Sequence, residues 1–262
     1  MRVFRSLAAT FLLGFVSLTW PGEASPRSAD RVEGISQRGI GARTRQQVDR
    51  TLASADSPRI DDLLLDLRVR RDDLGEVLDA DTLDGLAREV IQARNASIVE
   101  ALPVSPLRRA FIGELADGAT FSDWRHGIPA SVTLAQAILE SGWGRRAPAF
   151  NYFGIKGVGP AGSTPTLVVE WSGGRRHLRK STLRAYHSPD EALSDHARTL
   201  LTLRVYARAR AAAHDSDAFA RALVGVYATD PGYARKLAVM MDDFGLRAFD
   251  VLRPAAEAPT AI

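Results

Sequence analysis

The chain has 262 residues, of which 45% are hydrophobic and 25% charged, a balance typical of a soluble globular protein. Its net charge of +3 and sequence pI of about 9.5 favour a partner that carries carboxylates or phosphates, although no helix-turn-helix, zinc-finger spacing or aromatic RNA-binding motif indicates nucleic acid. The absence of cysteine excludes disulfides, thiolate metal sites, cysteine nucleophiles and a lipid anchor on cysteine.

Residues 1–24 are predicted to be a secretory signal peptide. Arg2 and Arg5 precede an apolar run over residues 6–20, and Gly22 and Ala24 are small residues at the spacing that a signal peptidase recognises. The alternative is an uncleaved membrane anchor, but this run is shorter than the roughly 20 residues of a membrane-spanning helix. We therefore expect cleavage after Ala24 and a periplasmic or secreted protein.

Residues 25–100 are predicted to precede the main domain. To about Asp49 the segment is rich in Arg, Ser, Gly and Gln, which predicts a poorly ordered lead-in. Between residues 60 and 100, apolar residues recur at helical spacing among many charges. This pattern predicts one or two amphipathic accessory helices.

Two prolines, Pro103 and Pro106, interrupt this pattern, because proline disfavours a helix at its own position and at the preceding one. The main domain is therefore predicted at residues 101–250, followed by a loose Ala- and Pro-rich tail at 251–262. The first helix of the domain is indicated by three apolar residues that mark one face: Leu107, Phe111 and Leu115.

The next predicted helix covers residues 131–140 and is apolar nearly all round, so it is expected to be buried. Pro129 fits its first turn and Gly142 its end. Further along, residues 166–171 predict a strand that turns through 172–174 into a basic return strand at 175–180. The result is a small β-hairpin.

The last third of the domain is predicted to be helical. Ser188 and Glu191 have the spacing of a capping box, which predicts a helix to about Arg204. A second helix is predicted at 217–226, and a third begins at Asp230, which is interpreted as its N-cap. His177, His187 and His196 have no metal-ligand spacing with carboxylates, and neither a metal nor a cofactor is predicted.

Glu140 is the strongest candidate for a catalytic residue. It ends a hydrophobic helix, where burial and the negative end of the helix dipole both disfavour its charge and raise its pKa. A carboxylic acid with a raised pKa is what protonates the leaving oxygen when a glycosidic bond breaks. The position by itself is weak evidence, because most glutamates at helix ends are solvent-exposed and without function.

Four segments around Glu140 strengthen this interpretation. They are GIPASVTLAQAILESGWG at 127–144, NYFGIKG at 151–157, LRAYHS at 183–188 and YATDPGYA at 227–234. Together they resemble the bacterial β-N-acetylglucosaminidase family of autolysins, glycoside hydrolase family 73, which includes the flagellar rod-associated wall hydrolase. The resemblance covers roughly residues 106–244. It implies a mostly α (α+β), lysozyme-like domain whose small β-hairpin lines an open groove, with a helical N-terminal extension.

The resemblance also implies roles for individual residues. Glu140 corresponds to the general acid, and Glu170 is the best match for a second carboxylate supplied by the hairpin. The alternative for Glu170 is a surface strand residue paired with Arg175 or Arg176. Tyr227 corresponds to a groove residue that acts on the N-acetyl group, unless it is a core tyrosine. Four further residues are expected to contact or shape the substrate groove: Trp143, Asn151, Phe153 and Tyr233.

The implied activity is hydrolysis of β-1,4 bonds in the glycan strand of peptidoglycan by a monomeric enzyme, with flagellar or secretion-system components as potential partners. Two mechanisms stay open: water activated by Glu170, or attack by the substrate's own N-acetyl group. A lytic transglycosylase is the nearest rival, although segment 151–157 lacks the Gly-Leu-Met-Gln turn of those enzymes. A third hypothesis is a non-catalytic wall-binding scaffold, which predicts that the acid site has lost its catalytic residues.

Overall fold

The computed structural model describes residues 33–54, 57–73, 79–172 and 175–251. The predicted signal peptide, the glycines of the hairpin turn and the predicted tail beyond Val251 lie outside these ranges. The described residues divide into two compact units, one that ends at Val90 and one that begins at Ile91.

The first unit is helical throughout its described residues. It contains α1 (Glu33–Ser54), α2 (Ser57–Asp73) and the first half of α3 (Ala80–Ala101). The predicted amphipathic helices are present, and their apolar stripes are buried, with Leu64, Leu67 and Leu83 at 0% exposure. The prediction of a poorly ordered lead-in was wrong from Glu33 onward, because α1 continues through that polar segment.

The second unit is mostly helical with one two-stranded sheet, so the predicted mostly α class is confirmed. The helices after α3 are α4 (Pro106–His126), α5 (Ala130–Ser141), α6 (Pro189–Thr202), α7 (Ala207–Ala211), α8 (Ser216–Ala222) and α9 (Tyr233–Asp243). The strands are β1 (Ser163–Ser172) and β2 (Arg175–Arg184). Short 3-10 turns lie at Pro148–Phe150, Arg204–Tyr206 and Leu246–Phe249.

Helix α5 lies in the core of this unit, as its apolar sequence predicted, and every residue from Ala130 to Ile138 is buried. It packs against α4, α9 and the 3-10 turn at Leu246–Phe249. Its C-terminal end is formed by Gly142, whose φ of 59° is the left-handed conformation that glycine tolerates best.

The N-terminal end of α5 is capped by two distant carboxylates. The Ser131 N–H donates to Oδ1 of Asp250 at 2.7 Å, and the Ser131 hydroxyl donates to Oδ2 at 2.8 Å. The Ala130 N–H donates to Oδ2 of Asp123 at 3.2 Å. These bonds satisfy backbone donors that Pro129, which precedes the helix, cannot cap with its own side chain. The last described residues of the chain therefore hold the start of α5 in place.

The buried face of helix α4 differs from the predicted one. Leu115 is fully buried, but the side chain of Leu107 is 83% exposed and Phe111 is half-buried. The core face of α4 instead runs from Ile112 to Trp124. Leu107 lies in the first turn, before the helix reaches the core, so helical spacing alone assigned it to the wrong environment.

The hairpin is longer than predicted, with ten residues in each strand. The antiparallel register pairs Ser163 with Arg184 at the base and Ser172 with Arg175 at the tip. Its base is anchored by buried Asp195 on α6, whose Oδ2 accepts hydrogen bonds from Arg184 at 2.6 Å and from the Tyr186 hydroxyl at 2.7 Å.

The capping prediction for α6 holds, since Ser188 Oγ accepts a 3.3 Å hydrogen bond from the Glu191 N–H. The predicted helix at 217–226 is α8 and ends earlier, at Ala222. The prediction that α9 begins at Asp230 was wrong, because the helix begins at Tyr233. Asp230 instead accepts a hydrogen bond from the Gly232 N–H and closes the turn before the helix.

Candidate active site

Glu140 lies in the last turn of α5, with its side chain half-buried. Its Oε1 accepts a 3.1 Å hydrogen bond from the hydroxyl of Tyr233, the first residue of α9. That hydroxyl in turn accepts a 3.0 Å hydrogen bond from Nε2 of Gln136, which lies one turn before Glu140 on α5. The three side chains therefore form a chain of hydrogen bonds that fixes the carboxyl group.

The pKa of Glu140 is raised above its usual value, and burial is the main cause. The hydrogen bond from Tyr233 and the positive charges of Arg146 and Lys236 oppose this increase, because each of them stabilises the carboxylate. The balance leaves a carboxyl group that holds its proton to higher pH than an exposed glutamate. Such a group can act as a general acid.

Tyr227 is buried directly beside this chain. Its ring is stacked on that of Tyr233, with centroids 5.8 Å apart and planes at 22°. Its hydroxyl donates to the carbonyl oxygen of Phe153 at 3.4 Å. Burial is the main reason that its pKa lies well above the usual value, and the nearby Glu140 adds to this effect. Tyr227 is therefore a neutral hydroxyl close to the acid candidate.

Phe153 and His196 form the layer next to Tyr227. The Phe153 ring lies on the His196 imidazole, with centroids 3.9 Å apart and planes at 16°. The edge of His196 meets Tyr227 at 6.1 Å. Phe153 is thus placed by core packing rather than held out from the surface, and its exposed fraction is 1%.

Asn151 organises the loop that follows α5. Its Nδ2 donates to the carbonyl oxygens of Ile155 at 2.9 Å and Arg184 at 2.8 Å, while its Oδ1 accepts from the Ile155 N–H at 3.0 Å. These bonds use both ends of the amide and tie the 151–157 segment to the base of the hairpin. The contacts of Asn151 shape the loop.

Trp143 lies three residues beyond Glu140 and has a φ of 64°, which is unusual for a residue with a side chain. Its ring meets Phe111 at 5.9 Å and Phe244 at 4.9 Å, both edge-on, and the guanidinium of Arg108 lies 4.8 Å over it. Trp143 also lines a cavity described below. Trp143 is therefore partly core and partly surface.

Glu170 is described only through the backbone of β1, where it pairs with His177 of β2. Arg176, one of the two arginines considered as its partner, lies opposite Trp171 instead. The side chain of Glu170 lies outside the described part of the structure, so its role as second carboxylate stays a prediction.

Three residues around the site were not identified from the sequence. Gln136 is an amide in a mostly apolar helix, one turn before Glu140, and a side chain of this polarity in such a helix was a usable signal. No comparable signal in the sequence indicates Asp250 and His196, because their contacts with Ser131 and Phe153 join distant parts of the chain.

Within the described ranges, no group of three or more His, Asp or Glu side chains is arranged to hold a metal ion. Among the helices of those same ranges, none combines the length and the apolar character needed to cross a bilayer.

A family model described as mannosyl-glycoprotein endo-beta-N-acetylglucosaminidase matches residues 120–246. This segment contains Gln136, Glu140, Tyr227 and Tyr233, together with both strands of the hairpin. It ends before Asp250, which caps α5.

Several curated proteins are similar to this chain over part of its length. A probable N-acetylmuramidase of Lactococcus lactis subsp. lactis is 35% identical over an alignment of 186 positions, and the match covers 67% of this chain and 42% of the relative. The peptidoglycan hydrolase FlgJ of Escherichia coli K12 is 38% identical over an alignment of 143 positions, and the match covers 51% of this chain and 45% of the relative. The chain thus spans less than half of the length of either relative.

Among solved structures, the catalytic domain of the autolysin Auto from Listeria monocytogenes is 29% identical and superposes with a TM-score of 0.52. The match covers 61% of this chain and 96% of that domain. The likeness confirms the predicted lysozyme-like, mostly helical fold.

Proposed function

Because the chain belongs to the glucosaminidase family, we propose that it hydrolyses β-1,4 glycosidic bonds in the glycan strands of peptidoglycan, as an endo-β-N-acetylglucosaminidase. The observation that carries this proposal is the setting of Glu140. A half-buried carboxyl at the end of α5, with a raised pKa and a fixed orientation, has the properties of the acid in glycoside hydrolysis.

Glu140 is proposed to protonate the leaving glycosidic oxygen. Because its Oε1 accepts a hydrogen bond from the Tyr233 hydroxyl, the neutral acid is proposed to carry its own proton on Oε2. The donated proton is replaced from water after the leaving sugar departs. We propose that Tyr233 acts on the reaction by orienting Glu140, a role beyond the substrate contact that the family resemblance implies.

The second step has two candidate routes. In the first, Glu170 removes a proton from the attacking water. In the second, the N-acetyl oxygen of the substrate attacks the anomeric carbon as the glycosidic bond breaks, and water then opens the resulting ring and returns a proton to Glu140. The neutral Tyr227 hydroxyl positions the N-acetyl group. The stack of Tyr227 on Tyr233, whose hydroxyl contacts Glu140, supports a position close to the reacting centre. We propose Tyr227 as a positioning group in either route.

The remaining predicted residues are proposed to form the walls of the site. Asn151 holds the 151–157 loop against the hairpin, and Phe153 supports Tyr227 through its carbonyl oxygen. Trp143, which lines the adjacent cavity, is proposed to contact substrate there.

The substrate lies outside the cytoplasm, so we propose that residues 1–24 direct export and that the catalytic domain comprises residues 101–250. Residues 25–100 then form an accessory region whose role is separate from cleavage. Fusion of residues 1–30 to a reporter enzyme that is active only after export tests the first point.

The central test is digestion of purified sacculi by the wild-type protein and by Glu140→Gln. We expect the variant to lose roughly 100-fold or more in the release of reducing ends, as for removal of a general acid. Mass spectrometry of the products identifies the reducing sugar, and N-acetylglucosamine is expected. Equal activity of the two proteins would refute the role of Glu140, and anhydro-muramyl products would indicate a lytic transglycosylase.

A Glu170→Gln variant separates the two routes. Water activation by Glu170 predicts a loss close to that of Glu140→Gln, whereas attack by the N-acetyl group predicts a much smaller one. Product anomers measured by NMR provide an independent check, because direct attack by water inverts the anomeric carbon and participation of the N-acetyl group retains its configuration.

A further inference from the structure

A cavity of about 370 Å³ lies beside the loops that follow α5. Four of the eight residues that line it are aromatic: Phe111, Trp143, Phe150 and Tyr152. Three others are glycine or alanine, which leave the aromatic rings as the main surfaces. This composition favours a ligand that can lie against π faces and edges.

Glu114 is the only charged residue among those that line the cavity. It is exposed, and its Oε1 accepts a 3.3 Å hydrogen bond from the buried Tyr152 hydroxyl. In the part of the chain that the structure describes, no Lys, Arg or His side chain forms an ion pair with it. The cavity therefore contains a carboxylate that is held in position and has no cationic partner.

The backbone around the cavity adopts an uncommon conformation. Trp143, Ala149 and Phe150 have φ values of 64°, 47° and 60°, and they are the non-glycine residues with positive φ in the described ranges. All three line this one cavity. Such conformations are unfavourable and concentrate at ligand sites, where the surrounding structure maintains them. Here they present the Phe150 ring, which is 36% exposed.

The same aromatic cluster already binds one cation within the molecule. The Arg108 guanidinium lies 4.8 Å from the centre of the Trp143 ring and 5.3 Å from that of Phe244. Arg108 is not among the residues that line the cavity. The carboxylate of Glu114 and the rings of Phe150 and Tyr152 are thus left for a second cation.

We propose that this cavity binds a primary ammonium group carried on an alkyl chain. A carboxylate surrounded by aromatic rings offers an ion pair and cation–π contacts to the ammonium, and apolar contact to the methylene groups. Building on the proposed function, we infer that the ligand is the free side-chain amine of the diamino acid in the peptide stem of peptidoglycan. The cavity would then select strands whose stems are not cross-linked through that amine.

Two of the residues involved lie outside the segment that the family model matches. Phe111 and Glu114 are on α4 and precede residue 120, where the match begins. The stem-binding cavity therefore combines the loops after α5 with the first part of α4, which the family match leaves out.

The test uses the full chain without its predicted signal peptide and a probe that a glycosidase cannot cleave. The probes are the stem tripeptide L-Ala-γ-D-Glu-L-Lys and the same peptide acetylated on its side-chain amine, and binding is followed by NMR titration. We expect acetylation to raise the Kd of the wild-type protein roughly two- to fivefold, the size of a partly exposed cation–π contact. Glu114→Gln is expected to remove this difference, and Phe150→Ala to reduce it.

Glu100→Gln is the matched control, because its carboxylate is 85% exposed and lies outside the cavity. It is expected to discriminate between the peptides as the wild type does. Equal affinity of the wild type for both peptides, or no detectable binding of either, would overturn the proposal, and neither result depends on the folding of a variant. Discrimination that persists in Glu114→Gln would also overturn it.

Digestion of sacculi by the same wild-type preparation keeps the two proposals apart. Release of reducing ends without discrimination between the peptides refutes the stem-binding cavity and leaves the proposed hydrolase intact. Discrimination without any release refutes the proposed hydrolase, while the ammonium site itself stands.

Discussion

The hydroxyl of Tyr233 donates a 3.1 Å hydrogen bond to Oε1 of Glu140, across 93 positions of the chain. This bond stabilises the carboxylate, whereas burial of the same carboxyl group stabilises the neutral acid. The pKa of Glu140 is raised because burial is the larger effect. Tyr233 therefore limits the pKa of the acid while it fixes the orientation of the carboxyl group.

Removal of the Tyr233 hydroxyl is expected to move the pH profile. In Tyr233→Phe the carboxylate loses a donor, so the pKa of Glu140 rises further. Because the proposed general acid must be protonated, the alkaline limb of kcat moves to higher pH, and kcat falls roughly tenfold as orientation is lost. The measurement is the rate of reducing-end release from sacculi between pH 4 and 9.

Tyr206→Phe is the control for this prediction. Tyr206 is also a buried tyrosine with a pKa raised by burial, to about 12, but its hydroxyl does not contact Glu140. It is expected to keep the wild-type pH profile. An alkaline limb that stays in place in Tyr233→Phe would show that Tyr233 does not act on the acid.

Replacement of Glu140, the proposed acid, is expected to stabilise the protein at neutral pH. Since the folded-state pKa of Glu140 is raised, its contribution to stability is present below the unfolded pKa and is lost as pH rises through the folded pKa. Glutamine carries no charge at any of these pH values. Glu140→Gln should therefore have a higher Tm than the wild type at pH 7 and nearly the same Tm at pH 4.

Thermal unfolding followed by circular dichroism at both pH values tests this expectation. Glu100→Gln serves as the exposed control and should match the wild type at each pH. A Glu140→Gln protein that is less stable than the wild type at pH 7 would contradict the assignment of Glu140 as a buried, destabilising carboxyl group.

The sequence predicted those features of the fold that depend on neighbouring residues. Helix α5 and its stop at Gly142 follow from an apolar run and one glycine, and the cap of α6 follows from the spacing of Ser188 and Glu191. The start of α9 was misplaced because Asp230 can cap a helix or close a turn, and the local sequence fits both.

Contacts between distant segments were not predictable in the same way. No local pattern connects Asp250 with Ser131, or Gln136 with Tyr233. At the site, the resemblance to a family identified Glu140 and Tyr233, but it gave no indication that one hydroxyl joins them. Glu114 is an ordinary exposed helix residue by its sequence, and only the folded loops around it suggest a role.

The cap of α5 by Asp250 is expected to contribute measurably to stability. Asp250→Ala removes the acceptor of the Ser131 N–H and hydroxyl bonds and leaves a buried helix end without them. We expect a loss of about 1–2 kcal/mol in the free energy of unfolding, as for other N-cap replacements. Urea unfolding at pH 7 measures the loss, and Asp243→Ala, an exposed aspartate at the end of α9, is the control.

An Asp250→Ala protein as stable as Asp243→Ala would mean that the remaining bonds at this helix end, such as that from the Ala130 N–H to Asp123, are sufficient to cap α5. Activity provides a second readout, because Glu140 lies at the opposite end of the same short helix. If the Asp250 cap positions α5, kcat of Asp250→Ala falls together with its free energy of unfolding.

Buried His196 is expected to make the protein sensitive to acid. Its exposed fraction is 1%, its ring nitrogens have no hydrogen-bond partner among the described residues, and burial lowers its pKa to about 3 from an ordinary value of 6.5. Between these two pH values the unfolded chain binds one more proton at this residue than the folded chain does. Stability is therefore lost as pH falls from 6.5 toward 3, by at most about 1.4 kcal/mol per pH unit.

His196→Phe keeps a ring against Phe153 but cannot bind the proton. The variant should lose less stability than the wild type as pH is lowered, and the difference between the two proteins should grow steadily from pH 7 to pH 4.5 in urea unfolding. The carboxylates of the chain titrate equally in both proteins, so the difference in their pH dependence reports His196 alone. Parallel pH dependence would show that the imidazole reaches solvent or finds a proton acceptor when it is charged, and that the packing under Phe153 is looser than the structure describes.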